Sequence, residues 1–356
     1  MIDLTLWSAT LNDDRLLKQV TLPGSHDATI YDGGDFDKTG ITQYLVSKAL
    51  SITQSGSIGD QCRIGSRFFD VRLKVAGGAV RGYHQTLGQG GVGATSQKIL
   101  DDVNSFLKSR GSEFVILRIS HTDRDTDIVN EVLNHPIASR LYKGRGNIAN
   151  ARVGDLRGKA VCIFDAKTFG AKKKTFSKDS PSLLDQAKGI HAFHKHKTGA
   201  TYDDGIGVCG CFKGSPDINQ VLGNAVKGAD AHACHADDHL FFLYWQQTKG
   251  NVEANTRMHG EGYVPGKGKP KLTGGTHANA PAMIKLLQQK SVLNAVYRPE
   301  GADPAQWQTV STTRGDRMCM PNVISYDFIN PKTSEEIVLV NDPGVRQYVQ
   351  RRLALI

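Results

Sequence analysis

The apolar positions of this chain fall into short runs that alternate with amphipathic stretches. The run VTLP at 20–23 reads as a short strand ending in the turn PGSHDA. SRFFDVRLK at 66–74 alternates in strand fashion, which sets Asp70 and Arg72 on one face, because side chains two apart in a strand point the same way. Residues 79–84 form another extended segment, ending at His84. In TSQKILDDVNSFLKSRG, Val103, Phe106 and Leu107 lie at helical spacing and Gly111 is a natural stop. FVILRIS at 114–120 predicts a buried strand, and a helix is expected over 126–139. GKAVCIF at 158–164, LFFLYW at 240–245 and PNVISYDF at 321–328 predict three further strands. Short helices are expected over 41–50 and 281–289, and Asp342 with Pro343 suits the cap and first turn of a terminal helix.

Strands alternating with helices imply an α/β layout with a parallel sheet. Short helices and irregular loops favour a barrel over an open sheet, so the expected fold is a distorted TIM-type (β/α) barrel. Such a barrel takes about 250 residues before insertions. The 356-residue chain is therefore read as one domain over 1–356, with long loop insertions at about 166–239, rich in Lys, Gly, His and Cys, and at about 249–280, rich in Gly and Lys.

Charge narrows the partners. The net charge of +9 favours anionic ones such as phospholipid headgroups, nucleic acid or phosphorylated substrates. It is spread along the chain, and its densest run, Lys172, Lys173 and Lys174, reads as a solvated loop. No stretch approaches the roughly 20 apolar residues of a membrane span. The opening MIDLTLWSATLNDD lacks a basic start followed by an apolar core, so the expected location is the cytoplasm, or outside the cell by export without a classical signal peptide. An even count of six cysteines does not imply disulfides in so long a chain; most are read as free thiols, with Cys162 in the core. His191, His194 and His196, with Cys209, Cys211, Cys234, His235 and His239, have the composition of a zinc site. The close cysteine pair is C-x-C rather than C-x-x-C, so a glycine- and histidine-rich loop is the favoured reading, and no metal or cofactor is expected.

The candidate chemistry sits where barrels place it. His26 and Asp27 follow a strand, Asp70 and Arg72 share a strand face, His84 ends an extended segment and Asp327 ends a late strand. Reactive groups of α/β barrels collect at the carboxyl ends of the strands. Two histidines suit phosphodiester cleavage: one takes a proton from a nucleophilic hydroxyl, the other gives one to the leaving oxygen. A planar guanidinium meets two phosphate oxygens at once, and carboxylates behind the histidines fix their tautomers. Asp70 with Arg72 also fits a plain salt bridge. Arg118 and Ser120 share a face of the FVILRIS strand and are candidate substrate contacts; Arg118 equally suits pairing with a local carboxylate.

LPGSHDA at 22–28 and GDQCRIGSRFFDVRLKV resemble the signature turn and following segment of the phosphatidylinositol-specific phospholipase C X-domain family. SEFVILRIS, GDLRGKAVCIF and NVISYDFIN resemble its later strands. The resemblance spans about 15–165 and then 317–332. It implies a phospholipase C-like phosphodiesterase with His26 as general base oriented by Asp327. It makes Arg72 the phosphate contact, His84 the general acid partnered by Asp27, and Asp70 a support for Arg72 or His84. The implied product is a cyclic phosphate and the implied mechanism metal-independent, since Arg72 supplies the positive charge. The implied partner is a phospholipid at a membrane surface, through transient peripheral contact, and not nucleic acid. Tyr44, Leu45 and Val46 are rim candidates that equally suit ordinary helix packing. The chain departs from the family where inositol is held. Phe164 or Asp165 stands in place of an arginine, and Gln246 and Gln247 stand after LFFLYW, Gln247 being the substrate-binding candidate. Two rivals remain: a metal-dependent glycerophosphodiester or sphingolipid phosphodiesterase, and a non-catalytic lipid- or phosphosugar-binding module.

Overall fold

The strand periodicity resolves into a closed parallel barrel in the computed structural model, which describes residues 2–39, 51–86, 89–122, 124–165, 183–197, 200–211, 220–225, 239–245, 283–284 and 321–341. Strands are numbered in chain order as β1 (Leu22–Ser25), β2 (Asp37–Thr39), β3 (Phe68–Ala76), β4 (Ala79–Thr86), β5 (Gln89–Thr95) and β6 (Val115–Ser120). They continue as β7 (Ala160–Asp165), β8 (Ile190–Lys195), β9 (Gly205–Cys211), β10 (His239–Tyr244) and β11 (Val323–Tyr326). Among the described residues, eight of them pair in parallel in the order β1-β3-β6-β7-β8-β9-β10-β11, and β11 returns to β1. This is the expected TIM-type barrel. An antiparallel extension, β4, β5 and β2, grows from the far end of β3.

Strand alternation sorts the side chains. Phe68, Ile116, Val161, Ile163, Phe193, Val208, Leu240, Phe242 and Val323 face inward and form one apolar cluster, which continues into Trp7, Leu11 and Leu17. Phe69, Val71, Leu117, Ile119, Cys162 and Phe164 face outward, against helices α2 (Ser96–Ser109) and α3 (Asp125–Asn134), which follow α1 (Ile58–Arg63). In α2 the buried Ile99, Leu100, Val103, Phe106 and Leu107 recur at helical spacing, each contributing about 1.5–3 kcal/mol of burial. The inward face then becomes polar at the carboxyl ends: Asp70 and Arg72 on β3, Arg118 and Ser120 on β6, Asp165 on β7 and Tyr244 on β10. Asp70 pairs in register with Arg118, and Arg72 with Ser120. Gly24 lets β1 close the barrel, since a Cβ there would stand 2.9 Å from Val323 Cγ1 and 3.2 Å from Phe68 Cδ1.

Several elements differ from the sequence expectation. β8 and β9 lie inside the stretch 166–239 that was expected as a loop insertion. β5 was not expected. The helix over 126–139 stops at Asn134 and restarts as a 3-10 turn at Pro136, because proline lacks the N–H and excludes its predecessor from the helical region. A helix α4 (Pro331–Val338) starts at Asn330, whose side chain accepts from Thr333 N–H at 3.0 Å. The helix expected over 41–50, the cap at Asp342 and Pro343, all of 249–280, and 281–289 apart from Met283 and Ile284 lie outside the described residues. No helix among the described residues is long and apolar enough to cross a membrane. Cys62 and Cys162 are buried free thiols, and burial pushes both up to about 12; Cys209 is buried as well.

Candidate active site

The barrel mouth is built around a clip of two residues, Thr53 and Gln54, that ties the end of β1 to the end of β11. Gln54 Nε2 donates to the His26 carbonyl at 2.8 Å and to the Tyr326 carbonyl at 3.0 Å, while its Oε1 accepts from Ile329 N–H at 3.1 Å. Thr53 Oγ1 donates to the Asp27 carbonyl at 2.8 Å, and its own carbonyl accepts from Phe328 N–H at 2.6 Å. The clip holds a strained backbone. Asp27 and Phe328 have positive φ values of 43° and 51°, a region that non-glycine residues occupy only where surroundings enforce it. Ala28 N–H donates to the Asp70 carbonyl at 2.9 Å, which anchors the same turn to β3.

This backbone delivers His26, Asp27 and Asp327 to one place. His26 Nδ1 lies 2.7 Å from Asp327 Oδ1, so Nδ1–H donates to the carboxylate and Nε2 faces the mouth. Nε2 lies 3.2 Å from Arg72 Nη2 and 3.5 Å from Asp27 Oδ2. The Arg72 guanidinium spans two fully buried carboxylates, 2.5 Å from Asp27 and 3.5 Å from Asp70, while its own side chain is 18% exposed. His84 Nε2 lies 3.4 Å from Asp27 Oδ2, and its Nδ1 lies 3.3 Å from the Ser51 carbonyl. Asp27 is thus shared by both histidines and Arg72. His84 sits on antiparallel β4, outside the parallel barrel, and it reaches the mouth because β4 folds back beside β3.

The charges set the proton affinities apart. Burial alone would depress His26, but the charges of Asp27 and Asp327, with the hydrogen bond to Asp327, outweigh it and hold His26 above its ordinary value. Burial also depresses His84, and there it prevails over the pull of Asp27, with Arg72 and His26 pushing the same way. Burial opposes ionisation of Asp70, yet Arg118 and Arg72 overcome it and keep Asp70 well below the carboxylate range.

Of the candidate substrate contacts, Arg118 lies deeper than Arg72. It is 3.3 Å from Asp70 and 3.5 Å from Asp165, donates to the Tyr244 hydroxyl, and lies 4.6 Å over the Phe193 ring. It acts as a strut that fixes Asp70. Ser120 Oγ donates to the same Asp70 oxygen, Oδ1, at 3.3 Å. Gln247, Tyr44, Leu45 and Val46 lie outside the described residues. Sequence reading missed Tyr244, whose ring meets His26 edge-on at 5.2 Å, and the Thr53–Gln54 clip. Tyr244 had a signal, being the polar member of the alternating set Leu240, Phe242, Tyr244; the clip had none.

His26, Asp27 and Asp70 offer donor atoms within 4.8 Å of one another, a spacing that suits a metal ion. Arg72 already contacts both carboxylates, so a cation there would have to displace or share with a guanidinium.

No family model matches the chain. Among curated proteins it is similar to the 1-phosphatidylinositol phosphodiesterase of Listeria monocytogenes, 29% identical over 121 residues, or 34% of each chain. It is also similar to a PI-PLC X domain-containing protein of Dictyostelium discoideum, 35% identical over 106 residues, or 27% of this chain and 17% of that protein. The matched stretches therefore span about a third or less of these relatives' lengths. Among solved structures, the phosphatidylinositol-specific phospholipase C from Listeria monocytogenes superposes with a TM-score of 0.54 at 18% identity, covering 96% of this chain and 99% of that one. A variant of the Staphylococcus aureus phosphatidylinositol-specific phospholipase C gives 0.54 at 15% identity, covering 94% and 97%. The fold is that of the bacterial phosphatidylinositol-specific phospholipases C, to which the turn and the Asp-x-Arg segment also pointed.

Proposed function

We propose that this chain is a phospholipase C-like phosphodiesterase that cleaves phosphatidylinositol or a related phospholipid by histidine general acid–base catalysis. The observation that carries the reading is the convergence of two histidines and one guanidinium on a shared buried carboxylate, Asp27. His26 Nε2 takes the proton of a substrate hydroxyl, such as the inositol 2-OH. That oxygen attacks phosphorus, and the P–O bond to the lipid leaving group breaks. Asp327 holds the His26 tautomer and stabilises the imidazolium. Arg72, the most accessible cation of the group, meets the non-bridging oxygens, where preorganised charge lowers the barrier most. His84 delivers a proton to the lipid oxygen, and the first product is a cyclic phosphate.

In the free site the base is held above its ordinary value and the acid below it. An anionic diester beside His84 raises its proton affinity, so substrate binding itself arms the acid. Contact with the membrane is transient and peripheral in this reading. Cleavage of phosphatidylinositol vesicles in EDTA tests it. Wild type is expected to release headgroup phosphate, and His26→Ala and Arg72→Met are each expected to lose at least about 100-fold in kcat. Activity that appears only with added calcium or magnesium would favour instead a metal at His26, Asp27 and Asp70.

A further inference from the structure

A second cluster of reactive side chains lies on the outer wall of the barrel. His196 directly follows β8, Cys209 lies in β9, and His239 opens β10. The three strands are neighbours: Lys195 pairs with Val208 and His239 with Gly207, while His196 N–H donates to the Val208 carbonyl at 2.9 Å. Val208, Leu240 and Phe242 belong to the inward cluster, so strand alternation turns Cys209 and His239 outward, away from the His26–Asp327 site.

The three side chains offer donor atoms within 4.8 Å of one another. The His196 and His239 rings stack with centroids 3.9 Å apart, and Cys209 and His239 are buried, at 3% and 2% exposure. The Tyr202 hydroxyl lies 3.1 Å from His196 Nδ1 and accepts Lys197 N–H at 2.7 Å. Tyr202 therefore orients the His196 ring by Nδ1 and leaves Nε2 as its ligand atom, the outer partner that metal-binding histidines ordinarily have. Tetrahedral zinc, with bonds of about 2.0–2.1 Å to nitrogen and 2.3 Å to sulfur, requires ligand atoms roughly 3.3–3.7 Å apart. Rotations that move each donor by about 1 Å or less close that gap. One thiolate and two imidazoles select zinc and its borderline-soft analogues over magnesium or calcium.

We propose that His196, Cys209 and His239 bind a zinc-class divalent ion that clamps β8, β9 and β10 together. The clamp sits on a strand poor in side chains of its own, since β9 contains Gly205, Gly207 and Gly210. The spacing of common zinc motifs does not apply, because strand register and not a short loop brings the donors together.

The test uses the full-length chain without a histidine tag and reads metal directly, so it is independent of any phosphodiesterase activity. Elemental analysis after dialysis against metal-free buffer is expected to find about one zinc per chain. Replacing zinc with cobalt(II) is expected to give visible ligand-field bands and a near-ultraviolet thiolate-to-cobalt band. Cys209→Ser removes that band, Tyr202→Phe weakens zinc binding by about tenfold, and His194→Gln, outside the triad, changes neither. Chelation lowers the wild-type melting temperature to that of Cys209→Ser. Folded wild type that binds no zinc, or binds cobalt without the thiolate band, overturns the proposal whether or not the variants fold. So does an unchanged spectrum in Cys209→Ser.

Discussion

Replacing Asp327 with asparagine isolates the electrostatic work at the base. The carboxylate lies 2.7 Å from His26 Nδ1, and both side chains are buried, at 7% and 8% exposure. A hydrogen bond to a charged partner contributes about 1.5–3 kcal/mol, and one pKa unit corresponds to about 1.4 kcal/mol. Asp327→Asn should therefore lower the His26 pKa, because it removes both the charge and the charge-assisted hydrogen bond that hold it up. The amide also admits the opposite tautomer, with Nδ1 accepting and Nε2 protonated, which cannot serve as a base; kcat should fall on the order of 100- to 10,000-fold. The sign follows from those two directions. With His26 high and His84 low in the free protein, the high-pH limb of kcat/KM belongs to His26 and the low-pH limb to His84. The substitution should move the high-pH limb down and leave the low-pH limb in place. The stability effect has the same origin. A histidine whose folded pKa is raised stabilises the fold below its unfolded pKa and loses that contribution as pH rises through the folded value, so the variant's deficit should be larger at pH 5 than at pH 8. The assays are a carbon-detected NMR titration of the His26 ring and pH–rate profiles on vesicles. A His26 pKa unchanged within 0.3 units, set as roughly the resolution of such a titration, or a kcat within about threefold of wild type, would refute the reasoning.

His84→Ala should lose about 100- to 1,000-fold with a lipid leaving group but under about tenfold with an activated phenol leaving group, which needs no proton; equal losses on both substrates would remove His84 as the acid. Gln54→Leu removes the side-chain hydrogen bonds to the His26 and Tyr326 carbonyls and from Ile329 N–H, leaving Tyr326 O its bond from His26 N–H, and should destabilise the fold by on the order of 3 kcal/mol in urea unfolding, together with a fall in kcat. At the opposite end of the barrel, Arg67 and Glu113 form an ion pair in which neither side chain is exposed, with Arg67 Nε donating at 2.8 Å. Glu113→Gln should cost about 3–5 kcal/mol of stability yet leave kcat per folded molecule unchanged, which separates support of the barrel from support of the chemistry.

The sequence exposed the parts of the barrel whose strands bury apolar side chains on both faces. FVILRIS, GKAVCIF and LFFLYW are such runs. The wall at β8 and β9 was hidden because its residues imitate a loop. IHAFHK carries two histidines and a lysine, and GIGVCGC is glycine-rich because neighbours press on its backbone: a Cβ on Gly205 would stand 1.9 Å from the Ala192 carbonyl oxygen, and one on Gly207 2.2 Å from the Tyr202 ring. The same holds for β5, where a Cβ on Gly91 would meet the Phe36 ring at 2.2 Å. At the site, period-two alternation placed Asp70, Arg72, Arg118 and Ser120 on inward faces, and the turn after β1 marked His26 and Asp27. What no local pattern carried was the sharing of Asp27 among Arg72, His26 and His84, since that depends on β4 folding back over β3. The Thr53–Gln54 clip was equally silent, because a threonine and a glutamine acquire their meaning only from the two strand ends they join.

The most direct test of the central claim is phosphorus NMR of phosphatidylinositol vesicles turned over in EDTA. The account predicts a cyclic inositol phosphate as the first resonance to grow, present with wild type and absent with His26→Ala. A linear phosphate monoester appearing first, or no product until a divalent metal is supplied, would contradict it.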